Sequence, residues 1–364
     1  MKIGILTFHC AHNYGAVLQC YATQEFLRSK GHEVEIINYR PEYLLRPYRL
    51  FDKGYITRGG FKRLLKNIVQ ELIIFPTRYT RWKVFQRFIN KRLSLSKPFS
   101  DLSSVPDVYD AYIVGSDQVW NPNITCGFDD VYFCNFPFQK GNKRYITYAA
   151  SMESKALSVD DKKFYVERLK NFDAISVREK NLQELLSPYT EHSIQHVLDP
   201  TLMVPPNVWD KIIISSPCKE KYVLVYQVMH DENTLRIANE IANQLGIGVL
   251  VVGAGVSFYN RYDYNGASPE EFVSLVKNAA CVVTTSFHGT SFSVILNRPF
   301  YTLTQGWNTR SSSLLEKLGL FDRMISPTST PIFSEIDYSD VNVKLDILRK
   351  ESQDFLQSTL NIHR

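Results

Sequence analysis

Short apolar runs alternate along the chain with stretches whose hydrophobic positions recur at helical spacing. Lys2 to Phe8 is apolar and rich in β-formers, Ala16 to Lys30 carries the helical period, Gly31 stops it, and Glu33 to Tyr39 alternates apolar and polar positions. This predicts a βαβ unit at the start. Further strands are expected at Ala111 to Val114, Tyr145 to Ala149, Ala174 to Val177 and His196 to Leu198, with helical material from Ser158 to Asn171 between them. After Pro205-Pro206 the rhythm begins again. Tyr222 to Val228, Gly248 to Val252, Cys281 to Thr285 and Phe300 to Leu303 read as strands. Asn233 to Leu245, Pro269 to Asn278 and Ser291 to Leu296 read as helices.

The expected fold class is therefore α/β, with two Rossmann-like domains. Residues 1–204 form the first, interrupted by a basic helical insertion over 46–98. Residues 205–340 form the second, and 341–364 a C-terminal helix that packs back on the first. At 364 residues the chain exceeds what a single core usually supports. Ligands in such a pair lie where the carboxyl ends of the strands face the interdomain cleft, because loops and helix N-termini converge there.

Composition narrows the class without naming a function. Hydrophobic residues make up 44% and charged residues 22%, which fits a globular protein and excludes disorder, collagen and coiled coil. The polar His9 and His12 stand where an export signal would continue its apolar run, and no apolar stretch approaches the roughly 20 residues that span a bilayer. A soluble cytoplasmic protein is expected. Six scattered cysteines lack any CxxC pair and read as reduced and mostly buried. Cys126 and Cys134 are separated by residues suited to packing, so no metal site is expected.

Charge changes the picture in one place. Residues 46–92 hold thirteen Lys or Arg against Asp52 and Glu71, a local charge of +11 in a chain whose net charge is +5. The basicity is a patch, and the remainder of the chain is acidic. Within it Phe61, Leu64, Leu65, Ile68, Leu72 and Phe75, then Trp82, Phe85, Phe88 and Ile89, recur at helical spacing, predicting basic amphipathic helices. Either the apolar face packs on the first domain and the charges are solvated, or the segment docks on an anionic membrane surface. No nucleic-acid motif accompanies the charge, and nucleic acid is not an expected partner.

Candidate chemistry gathers at strand ends. The turn containing Asn13, Tyr14 and Gly15 joins the first strand to the first helix, where backbone amides and the helix dipole favour an anion; a plain tight connection is the alternative. Gly115 to Pro122 follows a strand and brings together Asp117, Gln118 and Trp120; ligand contact competes there with a capped turn anchored by the indole. Arg178 ends another strand and either presents its fork to an oxyanion or pairs with Glu179 or Asp199. Asp199, before Pro200, reads as a structural turn residue and ranks below Arg178. In the second domain, Ser286, His288, Gly289 and Thr290 occupy a polar turn before an apolar helix. An imidazole there can transfer protons near neutral pH while the Gly289 and Thr290 amides bind an anion. Asn308, Thr309, Arg310 and Ser311 follow the next strand, with Arg310 as a second anion clamp.

Taken in order, Asn13-Tyr14-Gly15-Ala16, Gly115 through Asn121, Tyr148-Ala149-Ala150-Ser151, Ser176 through Glu179, Asp199-Pro200-Thr201 and Ser286 through Thr290 resemble the polysaccharide pyruvyl transferase family, over residues 1 to about 325. The resemblance implies a fold similar to GT-B glycosyltransferases. It implies transfer of a pyruvyl group from phosphoenolpyruvate, as co-substrate and without other cofactor, to two sugar hydroxyls as a cyclic ketal in cell-surface or exopolysaccharide synthesis. By the same analogy His288 is general acid or base, Arg178 holds the donor phosphate or carboxylate, and Asp117 assists the acceptor hydroxyls. Asn13, Tyr14, Gly15, Gln118, Trp120 and Ser151 line the cleft. The acceptor is a saccharide, lipid-linked in the reading that joins it to the basic patch. One position departs from the pattern: family members tend to carry arginine two residues before this histidine, where this chain has Ser286. Either Arg310 or Lys277 replaces that cation, or the donor differs, for instance a nucleotide sugar used by a glycosyltransferase. A non-catalytic saccharide-binding protein is the third reading.

Overall fold

The first unit is β1 (Lys2–Leu6), α1 (Tyr14–Ser29) and β2 (Glu33–Ile36). Helix α1 starts two residues before the expected Ala16 because Asn13 caps it, its Oδ1 accepting from the Gly15 and Ala16 amides. In this computed structural model, residues 1–51, 53–56, 61–152, 157–216, 218–228, 230–253, 266–303 and 309–361 are described, with backbone alone at 53, 55, 61, 62 and 309. Asn308, one of the residues expected at a strand end, lies outside them.

The insertion contributes α2 (Phe61–Arg92), followed by β3 (Ala111–Val114), β4 (Arg144–Thr147), α3 (Val159–Arg168), β5 (Ile175–Val177), α4 (Lys180–Leu186), β6 (Ile194–His196) and the short α5 (Pro200–Met203). Strands order as β2-β1-β3-β4, all parallel. Parallel bridges Ile36–Leu95 and Tyr39–Phe99 add an edge segment beside β2, and Ile146–Ala174 and Ala150–Val177 carry the sheet on to the β5–β6 pair. The second half comprises β7 (Tyr222–Gln227), α6 (Glu232–Leu245), β8 (Gly248–Gly253), α7 (Pro269–Asn278), β9 (Cys281–Thr284), α8 (Phe287–Ile295), β10 (Phe300–Leu303), α9 (Thr309–Leu318) and β11 (Met324–Ile325). Its parallel sheet runs β11-β10-β9-β7-β8. Last comes α10 (Tyr338–Asn361). The class is α/β with two Rossmann-like sheets. One core cluster runs through both halves, joining Ile3, Val17 and Phe88 to Leu224, Phe272 and Val282.

Three elements differ from their sequence pattern for identifiable reasons. The strand expected at His196 to Leu198 ends at His196, because the Leu198 amide turns away to Ser352 Oγ on α10 (2.9 Å). The helix expected from Ser291 begins at Phe287, since Ser286 caps it, so His288 lies in its first turn rather than before it. The basic segment forms one 32-residue helix that continues through Pro76, where proline removes one backbone donor without ending the helix. Its Phe85, Phe88 and Ile89 are buried against α1, whereas Leu65 and Leu72, drawn from sequence onto the same face, are 69% and 59% exposed.

Helix α10 begins on the second half, where Tyr338 donates to the Arg298 carbonyl (2.6 Å). It ends on the first, where Arg349 and Gln353 donate to Leu202 O (3.0 Å) and Met203 O (2.8 Å), and Arg144 donates to Thr359 O (2.6 Å).

Buried histidines set an acid limit on this fold. Burial, then the charges of Arg81 and Arg40, push His12 down to about 3. Burial, then Lys317, push His196 to about 4, and burial lowers His9. Each therefore stays neutral in the folded chain while its unfolded counterpart takes a proton below the ordinary value of 6.5. Stability should be flat in pH above that value and fall below it, by up to about 1.4 kcal/mol per pH unit per histidine. Thermal melts from pH 7.5 down to 5 check this; a Tm that rises on acidification would contradict it.

Candidate functional site

Each sheet reverses its winding once, between β1 and β3 in the first and between β7 and β9 in the second. Loops at such reversals splay apart and leave a crevice at the carboxyl ends of the strands. The segments following β1, β3 and β9 carry Asn13 to Gly15, Gly115 to Asn121, and Ser286 to Thr290 to this place, and the two crevices meet.

They meet at Asp199, the cap of α5, which is 1% exposed. Its Oδ1 accepts from the Thr201 amide (2.9 Å) and hydroxyl (2.7 Å); its Oδ2 accepts from Ser116 Oγ (3.1 Å) and Arg178 Nη1 (2.8 Å). From the opposite half, His288 Nε2 stands 3.7 Å from the same Oδ2. Burial alone would raise the Asp199 carboxyl, but the imidazole of His288 and then the Arg178 guanidinium outweigh it and hold the group well below the usual carboxylate range. Asp199 is thus a fixed negative charge between the halves.

His288 itself is 7% exposed, and its Nε2 has no hydrogen-bond partner among the described residues. A gap of 3.7 Å lies within ion-pair reach and beyond a hydrogen bond. On its other side the ring lies against α1: a Cβ built on Gly15 would fall 2.0 Å from His288 Nδ1. Gly15 is therefore glycine for close approach between the halves, not for an unusual backbone angle. Gly15→Ala should push the imidazole off Asp199 and lower turnover roughly 100-fold, the scale of a 1 Å misplacement, with the fold retained by circular dichroism. Unchanged turnover would show that the ring position is not critical.

Arg178 is occupied by protein. Nη1 pairs with Asp199, Nε with Glu179 Oε1 (3.2 Å), and Nη2 with Ser151 Oγ (3.0 Å), with Asp117 Oδ1 at 3.9 Å. Its guanidinium also covers the Phe287 ring at 4.7 Å. Burial works against its charge, but Glu179, Asp199 and Asp117 more than offset this and keep it fully cationic. Of the two readings open from sequence, pairing with Glu179 or Asp199 is what the structure shows, with both at once. The fork is not presented to an external oxyanion.

Other expected site residues divide in the same manner. Asp117, in left-handed conformation (φ 73) beside Arg178, and Gln118 remain partly accessible. Ser151 is buried and donates to Glu179 Oε1 (2.7 Å). Trp120 does not line the cleft: it is fully buried, stacked on Phe133 at 5.3 Å, and donates to Tyr132 O, within a second core cluster confined to the first half. Tyr14 is likewise buried, stacked on Phe272 at 4.5 Å and donating to Ala267 O (2.8 Å), so it clasps the two halves. Asn13 is spent on capping. The Gly289 and Thr290 amides are also taken, by Ser286 Oγ (3.5 Å) and Ser286 O (3.0 Å), and do not form the expected anion cradle. Arg310, half-buried at the start of α9, places its charge near Glu179. Glu179 is buried, and desolvation raises its carboxyl against the pull of Arg178 and Ser151.

Two residues of the site escaped the sequence reading. Asp199 reads from sequence as a turn residue, although its cap follows β6 by two residues and turns the carboxylate onto Ser116 and Arg178. Arg81, buried on α2, donates to His12 O (2.8 Å), Tyr14 Oη (3.2 Å) and Gly253 O (3.1 Å), and lies over the Tyr14 and Phe85 rings. Only its place one turn before the buried Phe85, in a helix whose other basic residues are mostly exposed, could have marked it. Among the described residues no three His, Cys, Asp or Glu side chains gather as a metal ion would need.

A family model described as polysaccharide pyruvyl transferase matches residues 13–306. Among solved structures, the UDP-GlcNAc 2-epimerase of Methanocaldococcus jannaschii in complex with UDP-GlcNAc and UDP is similar with TM-score 0.46 and 13% identity, covering 99% of each chain. The UDP-N-acetylglucosamine 2-epimerase from Rickettsia bellii gives 0.41 and 10%, over 96% of this chain and 87% of its own. A spinosyn rhamnosyltransferase complexed with spinosyn aglycone gives 0.38 and 11%, over 99% and 97%. No curated protein matches in sequence.

Proposed function

The chain belongs to the polysaccharide pyruvyl transferase family, and from this we propose that it moves a pyruvyl group from phosphoenolpyruvate onto two hydroxyls of a saccharide in bacterial cell-surface or exopolysaccharide synthesis. The acceptor is carried on a lipid at the inner face of the membrane.

The reaction adds one proton to the enol methylene and one sugar oxygen to the adjacent carbon. It then expels phosphate and closes a second carbon–oxygen bond to give the ketal. One of the two hydroxyl protons is balanced by the new methyl group, and the other leaves with phosphate. A group that both gives and takes a proton is needed beside a cleft that excludes water. The observation that carries the reading is Nε2 of His288, which has no hydrogen-bond partner among the described residues and stands 3.7 Å from a carboxylate held anionic. A buried imidazole nitrogen without a partner is a group waiting for one. Asp199 stabilises the imidazolium between the two transfers, and Arg178 fixes Asp199 through Nη1. Asp117, on the accessible side of Arg178, takes the acceptor hydroxyl proton. Arg310 directs positive charge to the donor's phosphate or carboxylate, a role that passes to it from Arg178.

Incubation with phosphoenolpyruvate and candidate saccharides, followed by phosphate release and the ketal mass increment, tests this. Release no greater than that of His288→Ala would overturn it. Ser286 sustains a second reading, transfer from a nucleotide sugar, because this position caps α8 with a neutral hydroxyl where the family tends to place a cation. Under that reading a nucleotide sugar raises Tm and phosphoenolpyruvate does not; under the first the order is reversed.

A further inference from the structure

The outward line of α2 is divided in two. Leu65, Val69, Leu72 and Ile73, at spacings that put them on one face, are 69%, 53%, 59% and 54% exposed. Three turns further along the same line stand Lys83, Arg87 and Lys91, four residues apart and all exposed. Glu71, the one acid of the helix, is buried and turned inward onto Arg78 (2.6 Å), so it does not soften the outer charge. Folding leaves four aliphatic side chains in water here, although the same helix buries Phe85, Phe88 and Ile89.

We propose that this face docks on an anionic lipid bilayer, with the Leu65 to Ile73 stretch entering the headgroup boundary and Lys83, Arg87 and Lys91 lying on the acidic headgroups. The inference rests on the lipid-linked acceptor proposed above and names the surface that would serve it. Charge chooses the occupant. An apolar stripe continued by cations suits an acidic membrane, whereas a second copy would bring another set of the exposed Lys83, Arg87 and Lys91 to the same contact. On the far side of the same helix Arg81 reaches His12, Tyr14 and Gly253, and on its flank Gln86 pairs with His12 Nε2 (2.9 Å). One helix thus meets the bilayer outside and walls the cleft inside. A saccharide anchored in the bilayer has little distance to cover.

The test is sedimentation of the full chain with phosphatidylcholine vesicles with and without phosphatidylglycerol. Binding is expected only with phosphatidylglycerol, and it should weaken as salt rises. Neutralising Lys83, Arg87 and Lys91 to glutamine should lower partition about fivefold for each, on the order of a hundredfold together, the equivalent of about 1 kcal/mol per basic residue. Leu65→Ser with Leu72→Ser should also release the protein. Both variants should keep wild-type turnover on a soluble acceptor, so vesicle binding and catalysis fail independently. Equal partition to the two vesicle types at low salt would overturn the proposal. So would a serine variant that changes the oligomer seen by light scattering but still binds vesicles, which would assign the face to a second copy.

Discussion

Asp199→Ala is expected to cost about 3–5 kcal/mol of stability, the scale of removing one partner from a buried ion pair, and to abolish measurable turnover. The loss is large because Arg178 stays behind. Its side chain is 1% exposed and would keep Glu179 as its remaining close carboxylate, while the Thr201 amide would lose its acceptor and the Ser116 hydroxyl one of two. Urea unfolding with an unchanged m-value measures the first effect and phosphate release the second. Asp199→Asn separates charge from shape. It can retain the Thr201 contacts but not the ionic ones with Arg178 and His288, so it should recover part of the stability and little of the turnover. The sign with pH is fixed by the depressed carboxyl: its contribution is complete above the ordinary value of 3.8 and is lost as pH falls toward the folded value. In Asp199→Asn that portion of the acid limb should disappear. A variant as stable as the parent would show that the hub is dispensable.

His288→Ala should leave the chain folded and lower turnover by roughly 10²–10⁴-fold, the range for removing a positioned acid–base group. Stability should change far less than in Asp199→Ala, because Asp199 keeps Arg178, Ser116 and Thr201 as partners. Protection from unfolding by phosphoenolpyruvate should persist, since the donor's anionic groups are read as meeting cations elsewhere. The split between intact donor binding and lost phosphate release is the informative result. Loss of both would recast His288 as a donor-binding residue, and loss of neither would remove it from the mechanism.

Much of the secondary structure is legible in the sequence, because buried strands and capped helices announce themselves locally. Ala111–Val114, Pro269–Asn278 and Phe300–Leu303 agree at both ends with their sequence patterns. Ser268 and Glu271 form a capping box at the second of these, and apolar runs with turn residues beside them mark the other two. What stayed hidden depends on residues far apart in sequence. Asp199 meets Ser116 from 83 positions away and His288 from 89, so its turn chemistry alone resembled any Asp-Pro cap. Trp120 and Tyr14 stood in polar, chemically suggestive turns, and both proved to be packing groups, because a turn can throw an aromatic inward as easily as outward. The amides of Gly289 and Thr290 illustrate the same point at shorter range. Ser286 supplied the cap, and the helix that sequence started at Ser291 absorbed them. Helical period placed the apolar residues of α2 on common faces, but only burial separated the part that packs from the part that does not.

Helix α10 bears on the order in which this protein can be made. When the ribosome has completed residues 1–204, the first sheet is in hand. The Leu198 amide, the Leu202 and Met203 carbonyls and the Arg144 guanidinium, however, await partners that are encoded after residue 348. The nascent first half emerges with a seam open beside Asp199, and translation must run to Thr359 before that seam is closed. The carboxylate at the centre of the cleft is therefore locked in place only after residues far beyond its own sheet have been made.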